Sequence, residues 1–274
     1  MVRLYSAFAE LGDLHSLYAN HKKPYLGSDG ARCQAHVPII AILFLFEAMA
    51  AGACLMAYGA VPDDNGKWPG NDGEGAYPEV HWPRNIVHRD IKASNYFLAS
   101  PPDSAIWPKL PVLKLADFGN GINSLDRYYQ RHPKSVYGGG TPWWTAPEQK
   151  IQEDPAQRQP IGPATNIFQI GLVMLQLMSL SDTASDPTFD SPLSSIFPHQ
   201  GYQKVYPEEI VTLAESCCKS HPALRPMPKE LYMRIRKLAM EYPPGDHQIP
   251  YQFQKIPASQ NLRTQPDKYA NWTV

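Results

Sequence analysis

Four residues in the first half of the chain have the types and the order that work on a phosphate group requires. Within Ile86-Val87-His88-Arg89-Asp90-Ile91-Lys92-Ala93-Ser94-Asn95, Asp90 supplies a carboxylate that can accept a proton, and Lys92 supplies a cation two residues on. Asn95, and Asp117 in Leu115-Ala116-Asp117-Phe118-Gly119, are oxygen ligands suited to a hard divalent cation. The set is the equipment of phosphoryl transfer, a reaction in which the protein mainly positions groups and stabilises charge.

Such groups need stiff supports. Ile86 and Val87 before the first run, and Tyr96, Phe97 and Leu98 after it, are strand-like, and Val112 to Leu115 leads into Asp117 in the same way. Two short strands would hold Asn95 and Asp117 within reach of the same ions, which a loop alone would do too loosely.

Three motifs, in order, carry a resemblance. His88-Arg89-Asp90 with Asn95 resembles the catalytic loop H-R-D-x-x-x-x-N of protein kinases, Asp117-Phe118-Gly119 their metal-binding D-F-G, and Thr145-Ala146-Pro147-Glu148 their A-P-E. One such match alone would be weak; three in sequence order are specific. The resemblance implies an α+β, protein-kinase-like fold over residues 1–240, mainly the helical large lobe with short strands around the two loops, and then a Pro- and Gln-rich tail over 241–274. It implies ATP and Mg²⁺ as cofactors and a protein substrate or binding partner. Asp90, Lys92 and Thr141 become the catalytic residues, and Asn95 and Asp117 the metal ligands that also hold the nucleotide. Lys92, and Thr141 in Gly140-Thr141-Pro142, match the Ser/Thr branch of the family.

The same resemblance orders the remainder. Leu4 to Ala9 reads as a short apolar strand, and Glu10 to Leu14 breaks it before a helical pattern that runs to about His21. These resemble the last small-lobe strand, the hinge and the first large-lobe helix, which would put adenine against backbone near Ala7 and Ala9, with Asp13 near the ribose. The plainer alternative is an amphipathic N-terminal segment without a ligand. Residues 117–148, rich in hydroxyls and glycine, look like an activation segment. Arg89 is the residue type that pairs with a phosphate there. Ala164 to Leu180 reads as a long buried helix carrying Asn166 where the family has an aspartate that anchors the catalytic-loop backbone. An amide has one accepting oxygen, so a weaker anchor is expected. Arg225, in Cys217-Cys218-Lys219-Ser220-His221-Pro222-Ala223-Leu224-Arg225, matches the partner of the A-P-E glutamate, which predicts a buried ion pair with Glu148. Cys217 and Cys218 read as core packing in preference to reactive thiols.

Val37 to Ala60 is apolar except for Glu47 and long enough to cross a bilayer. A charge near the bilayer centre is expensive, and the resemblance places a core helix here, so a buried helix is expected, with a membrane span as the alternative. Gly59 to Pro83 reads as a surface insertion, and Ser100 to Pro111 as a proline-rich excursion.

Composition narrows the classes further. An apolar fraction of 43% is enough for a core. A net charge of −1 gives no electrostatic case for nucleic acid or an anionic membrane as partner. Four cysteines without a C-x-x-C pair fit a reducing compartment, cytoplasmic or nuclear, and Met1-Val2-Arg3-Leu4-Tyr5-Ser6 does not read as a secretory leader. Nothing in the 274 residues matches G-x-G-x-x-G before a strand, a V-A-I-K-type strand lysine or its helix glutamate. Two readings stand: a Ser/Thr kinase whose small lobe is encoded upstream, or a catalytically inactive binding module built on the large lobe.

Overall fold

The computed structural model describes residues 9, 11–21, 25–26, 32–33, 36–69, 85–100, 111–150, 154, 158–180 and 202–241. The expected strand from Leu4 to Ala9, apart from Ala9, lies outside the described residues, as do Ala7, most of the proline-rich excursion, the second half of the surface insertion and the tail beyond Glu241.

The core is built around helix α2, Ile39–Tyr58. Twenty consecutive residues with hardly a polar side chain give no solvent face, so the helix belongs inside the protein or inside a bilayer. Here it packs against α4, Pro163–Ser179, and α7, Pro228–Glu241, and ends at Gly59. Gly59 takes the left-handed conformation, φ 77°, and returns its N–H to the Leu55 carbonyl 2.9 Å away. Glu47, the residue that weighed against a bilayer location, is ion-paired: Nη1 of Arg236 on α7 donates to its Oε1 at 2.6 Å.

Helix α4 starts with Pro163 at its first position, where the missing N–H costs nothing, and is buried from Thr165 to Ser179. It passes so close to α6, Glu208–Cys217, that a Cβ on Gly171 would meet Cys218 Sγ at 2.6 Å and Cys217 Cβ at 2.7 Å. Both thiols therefore serve as packing surface, as expected, and burial pushes the Cys217 thiol up to about 12 and Cys218 well above its ordinary value. Helix α7 buries Leu231, Ile235 and Ala239, one side chain per turn, against α2. The remaining α-helices among the described residues are α1, Leu14–His21, the five-residue α3, Arg127–Arg131, and α5, Tyr202–Val205.

Among the described residues the strands form three antiparallel two-stranded ribbons: β1, Tyr25–Leu26, with β2, Arg32–Cys33; β3, Ile86–Val87, with β6, Ile122–Asn123; and β4, Tyr96–Ala99, with β5, Val112–Leu115. The first ribbon falls in a stretch that the sequence marks only as polar, because two-residue strands are too short to show alternation.

Candidate active site

The β4–β5 ribbon positions the two oxygen ligands. Its register sets Tyr96 opposite Leu115, so Asn95 just before β4 and Asp117 just after β5 leave the ribbon at the same end. The next rung, Ala116 N–H to the Asn95 carbonyl at 2.9 Å, ties the loops together there. The Asn95 side chain spends its NH₂ on the Asp90 carbonyl, 2.9 Å away, which leaves its Oδ1 as the ligand atom. An amide oxygen and a carboxylate are hard donors of the kind Mg²⁺ takes alongside phosphate oxygens. Asp117 itself is held at φ 63°, sparsely populated for a residue with a side chain and frequent at functional sites.

Asp90, Lys92 and Thr141 close on one another. Asp90 Oδ1 accepts from the Thr141 hydroxyl at 2.7 Å and from the Thr141 N–H at 2.9 Å, while Lys92 Nζ donates to Asp90 Oδ2 at 3.0 Å and to Thr141 Oγ1 at 2.6 Å. The hydroxyl thus donates once and accepts once, which closes the triangle. Asp90 is 5% exposed, so its contacts act in a medium of low dielectric.

The catalytic-loop backbone is clasped from below by three amides. Asn166 Oδ1 accepts the His88 N–H at 2.9 Å, one bond as expected of an amide, and its NH₂ reaches the Ile86 carbonyl at 2.9 Å, a bond a carboxylate could not make. Gln169, one turn on along α4, supplies the second acceptor: Oε1 takes the Ile91 N–H at 3.2 Å, and Nε2 donates to the carbonyls of Arg89 and Trp144. Gln149 Nε2 donates to the carbonyls of Arg89 and Gly139, with its Oε1 on the Ala146 N–H. The sequence reading missed both glutamines. Two signals could have found them: Gln169 interrupts the apolar face of a buried helix, and Gln149 directly follows the motif glutamate.

The Arg89 guanidinium donates to two main-chain carbonyls of the segment after Asp117, Nε to Asn120 at 2.6 Å and Nη1 to Val136 at 2.8 Å. Those are the contacts this structure gives it in the place where the sequence suggested a phosphate. Asp13, expected near a ribose, caps α1 by accepting the Ser16 N–H at 2.7 Å and is 6% exposed. Ala9 is half-buried.

His88, fully buried, packs on Phe118 with ring centroids 4.5 Å apart. Its Nδ1 accepts the Asp90 N–H at 3.3 Å and its Nε2 faces the Ala116 carbonyl at 3.0 Å, so the neutral ring bridges the base and the metal loop. Burial lowers its pKa below the ordinary 6.5, partly opposed by the Ala116 carbonyl and by Asp90 and Asp117. A base with a depressed folded pKa contributes stability that is present above 6.5 and lost as pH falls from there through the lowered value. The denaturation midpoint is therefore expected to fall with acidification through that window, and to fall less in His88→Phe. Equal pH slopes for the two proteins would show that the ring is not buried neutral.

Below the site, Arg225 and Glu148 form the expected ion pair, with both side chains fully buried. Nη1 meets Oε1 at 2.7 Å and Nη2 meets Oε2 at 2.8 Å. The other N–H groups go to the carbonyls of Lys219, Ala164 and Ser220, so all five donors are used. Thr165 Oγ1 adds a bond to Glu148 Oε1, and the guanidinium carbon lies 4.7 Å from the Phe168 ring centre.

Comparison with known proteins agrees with this geometry. The family model described as "Protein kinase domain" matches residues 78–234, more than half of the chain and all three motifs. The chain is 27% identical over 155 residues, 54% of its length, to serine/threonine-protein kinase dst2 of Dictyostelium discoideum, and 26% identical over 159 residues, 57% of its length, to serine/threonine-protein kinase Pkn1 of Myxococcus xanthus. It is 39% identical over 74 residues, 24% of its length, to serine/threonine-protein kinase atg1 of Schizosaccharomyces pombe. The matched stretches span 12%, 20% and 8% of those relatives, so the chain corresponds to a small part of each. With its catalytic-loop, metal-loop and A-P-E residues assembled as described and the family model laid over them, the chain belongs to the protein kinase family.

Proposed function

We propose that this site transfers the γ-phosphoryl group of ATP to a serine or threonine hydroxyl of a protein substrate. The observation that carries the reading is the closed contact of Asp90, Lys92 and Thr141 beside the Asn95 and Asp117 oxygens. Asp90 would orient the substrate hydroxyl and accept its proton, and Lys92 would neutralise charge growing on the transferring group. Thr141 would hold both in register. Asn95 and Asp117 would hold Mg²⁺, which when bound would offset the negative charge of the phosphates. Ala7 and Ala9 would meet the adenine and Asp13 the ribose end. Lys92 and Thr141 resemble the Ser/Thr branch of the family, which supports Ser/Thr over tyrosine as acceptor, although relatives include a mouse protein whose name gives dual specificity. The buried thiols of Cys54, Cys217 and Cys218 support action inside the cell, in the cytoplasm or nucleus.

The test is nucleotide binding followed by turnover. Mg-ATP is expected to raise the melting temperature of the chain, and Asp117→Ala to abolish the rise. Phosphoryl incorporation into mixed Ser/Thr peptides is expected to drop about 10²–10⁴-fold in Asp90→Asn. The alternative is a binding module without turnover. No stabilisation at any Mg-ATP concentration would decide for it.

A further inference from the structure

Outside the phosphate-handling loops, α2, residues 62–64 and α7 frame an open cavity of about 410 Å³ lined by Phe44, Ala48, Ala51 and Pro62 together with Glu47, Asp63, Asp64, Tyr232 and Arg236. Three carboxylates face one guanidinium, a surplus of two negative charges. All three carboxylates are partly committed. Arg236 takes Glu47 Oε1 at 2.6 Å and Asp64 Oδ1 at 2.9 Å, while Asp63 Oδ1 accepts the N–H groups of Asn65 and Lys67. Glu47, 8% exposed, keeps its second oxygen, Oε2, buried with no hydrogen-bond partner. A buried carboxylate oxygen without a donor is costly, and native structures rarely keep one without use. Burial also raises the Glu47 pKa, against the lowering effect of Arg236, as expected of an acid short of partners.

We propose that this cavity is a docking pocket for a lysine side chain presented by a partner protein. The acceptor left open is a single oxygen, which suits a compact ammonium better than a guanidinium fork that needs two. The torsion carrying the carboxylate is soft, so a small rotation turns Oε2 toward an incoming cation. The apolar wall of Phe44, Ala48, Ala51 and Pro62 matches the four-carbon lysine stem, and the surplus negative charge matches the head. No residue of the catalytic loop lines the pocket, so it would fix a partner without occupying the site.

The probe is acetyl-Leu-Lys-Leu-amide titrated into the full chain, read by calorimetry and by the methyl resonances of Ala48 and Ala51. Binding with a Kd of about 1 mM or tighter and saturable shifts at both methyls is expected. The norleucine counterpart, which keeps the stem and lacks the charge, is expected to bind at least about 10-fold more weakly, as is n-butylammonium, which lacks the peptide. Glu47→Gln should give a similar loss. Ala48→Leu, which fills the cavity and leaves the Glu47–Arg236 pair intact, should abolish the shift at Ala51 and serves if Glu47→Gln does not fold. Equal binding of the norleucine peptide, equal binding of n-butylammonium, or no methyl shift on saturation would overturn the proposal.

Discussion

Replacing Arg225 with alanine is expected to lower the unfolding free energy by about 3–5 kcal/mol, measured by urea denaturation of the full chain. The figure follows from what is left behind more than from what is lost. Glu148 would stay fully buried with the Thr165 hydroxyl as its remaining donor from the set described, and three main-chain carbonyls would lose an N–H each. An exposed ion pair removed in the same way would cost about 0–1 kcal/mol, because solvent takes over both partners. Arg225→Met should cost nearly as much as alanine despite its volume, since it supplies no donor. The double variant Glu148→Met/Arg225→Met should recover part of the loss by removing the uncompensated charge, but not the part owed to the carbonyls. A cost below about 1 kcal/mol for the single variant would mean that water reaches Glu148 and that the pair behaves as a surface one.

That pair was legible in the sequence for a reason that does not extend to the rest of the site. Glu148 and Arg225 each sit inside a short run whose neighbours mark it, and Asp90, Asn95 and Asp117 likewise lie in motifs a few residues long. Helices α2 and α4 announce themselves by long apolar runs that match Ile39–Tyr58 and Pro163–Ser179 to within two residues. What the sequence could not show is who holds the loops. Gln149 and Gln169 act on main-chain groups 60 and 80 residues away, and a carbonyl partner leaves no side-chain pattern to read. The same limit explains Arg89. Its residue type suits a phosphate, yet its contacts are carbonyls that become neighbours only once the chain has folded. Helix α3 escaped for a different reason: Arg-Tyr-Tyr-Gln-Arg has no apolar period, and its start depends on Asp126 accepting the Tyr128 N–H at 2.7 Å. The anchor at Asn166 was read correctly as one accepting oxygen, but its strength is shared with Gln169, which a residue-by-residue match cannot reveal.

Gly140→Ala should be the most damaging single-methyl change near the site. Gly140 has φ +104°, where a side chain is strained by about 1–3 kcal/mol, and a Cβ there would collide with the Arg89 carbonyl. That carbonyl cannot swing away, because the Nε2 groups of Gln149 and Gln169 both donate to it. The segment carrying Thr141 would have to yield instead, and Thr141 is the residue whose hydroxyl and N–H sit on Asp90. A displacement of about 1 Å between positioned groups can cost on the order of 10²-fold in rate, so any turnover the chain shows should fall by that order while the oxygens of Asn95 and Asp117, proposed as metal ligands, stay in place. The denaturation midpoint reads the same event without turnover and should drop. Gly52→Ala in α2 is the control: nothing lies within 4 Å of its added methyl, and the helix should gain about 0.5–1 kcal/mol. An unchanged midpoint for Gly140→Ala beside a raised one for Gly52→Ala would mean that the Arg89 carbonyl is free to move, and with it the clasp that holds the catalytic loop.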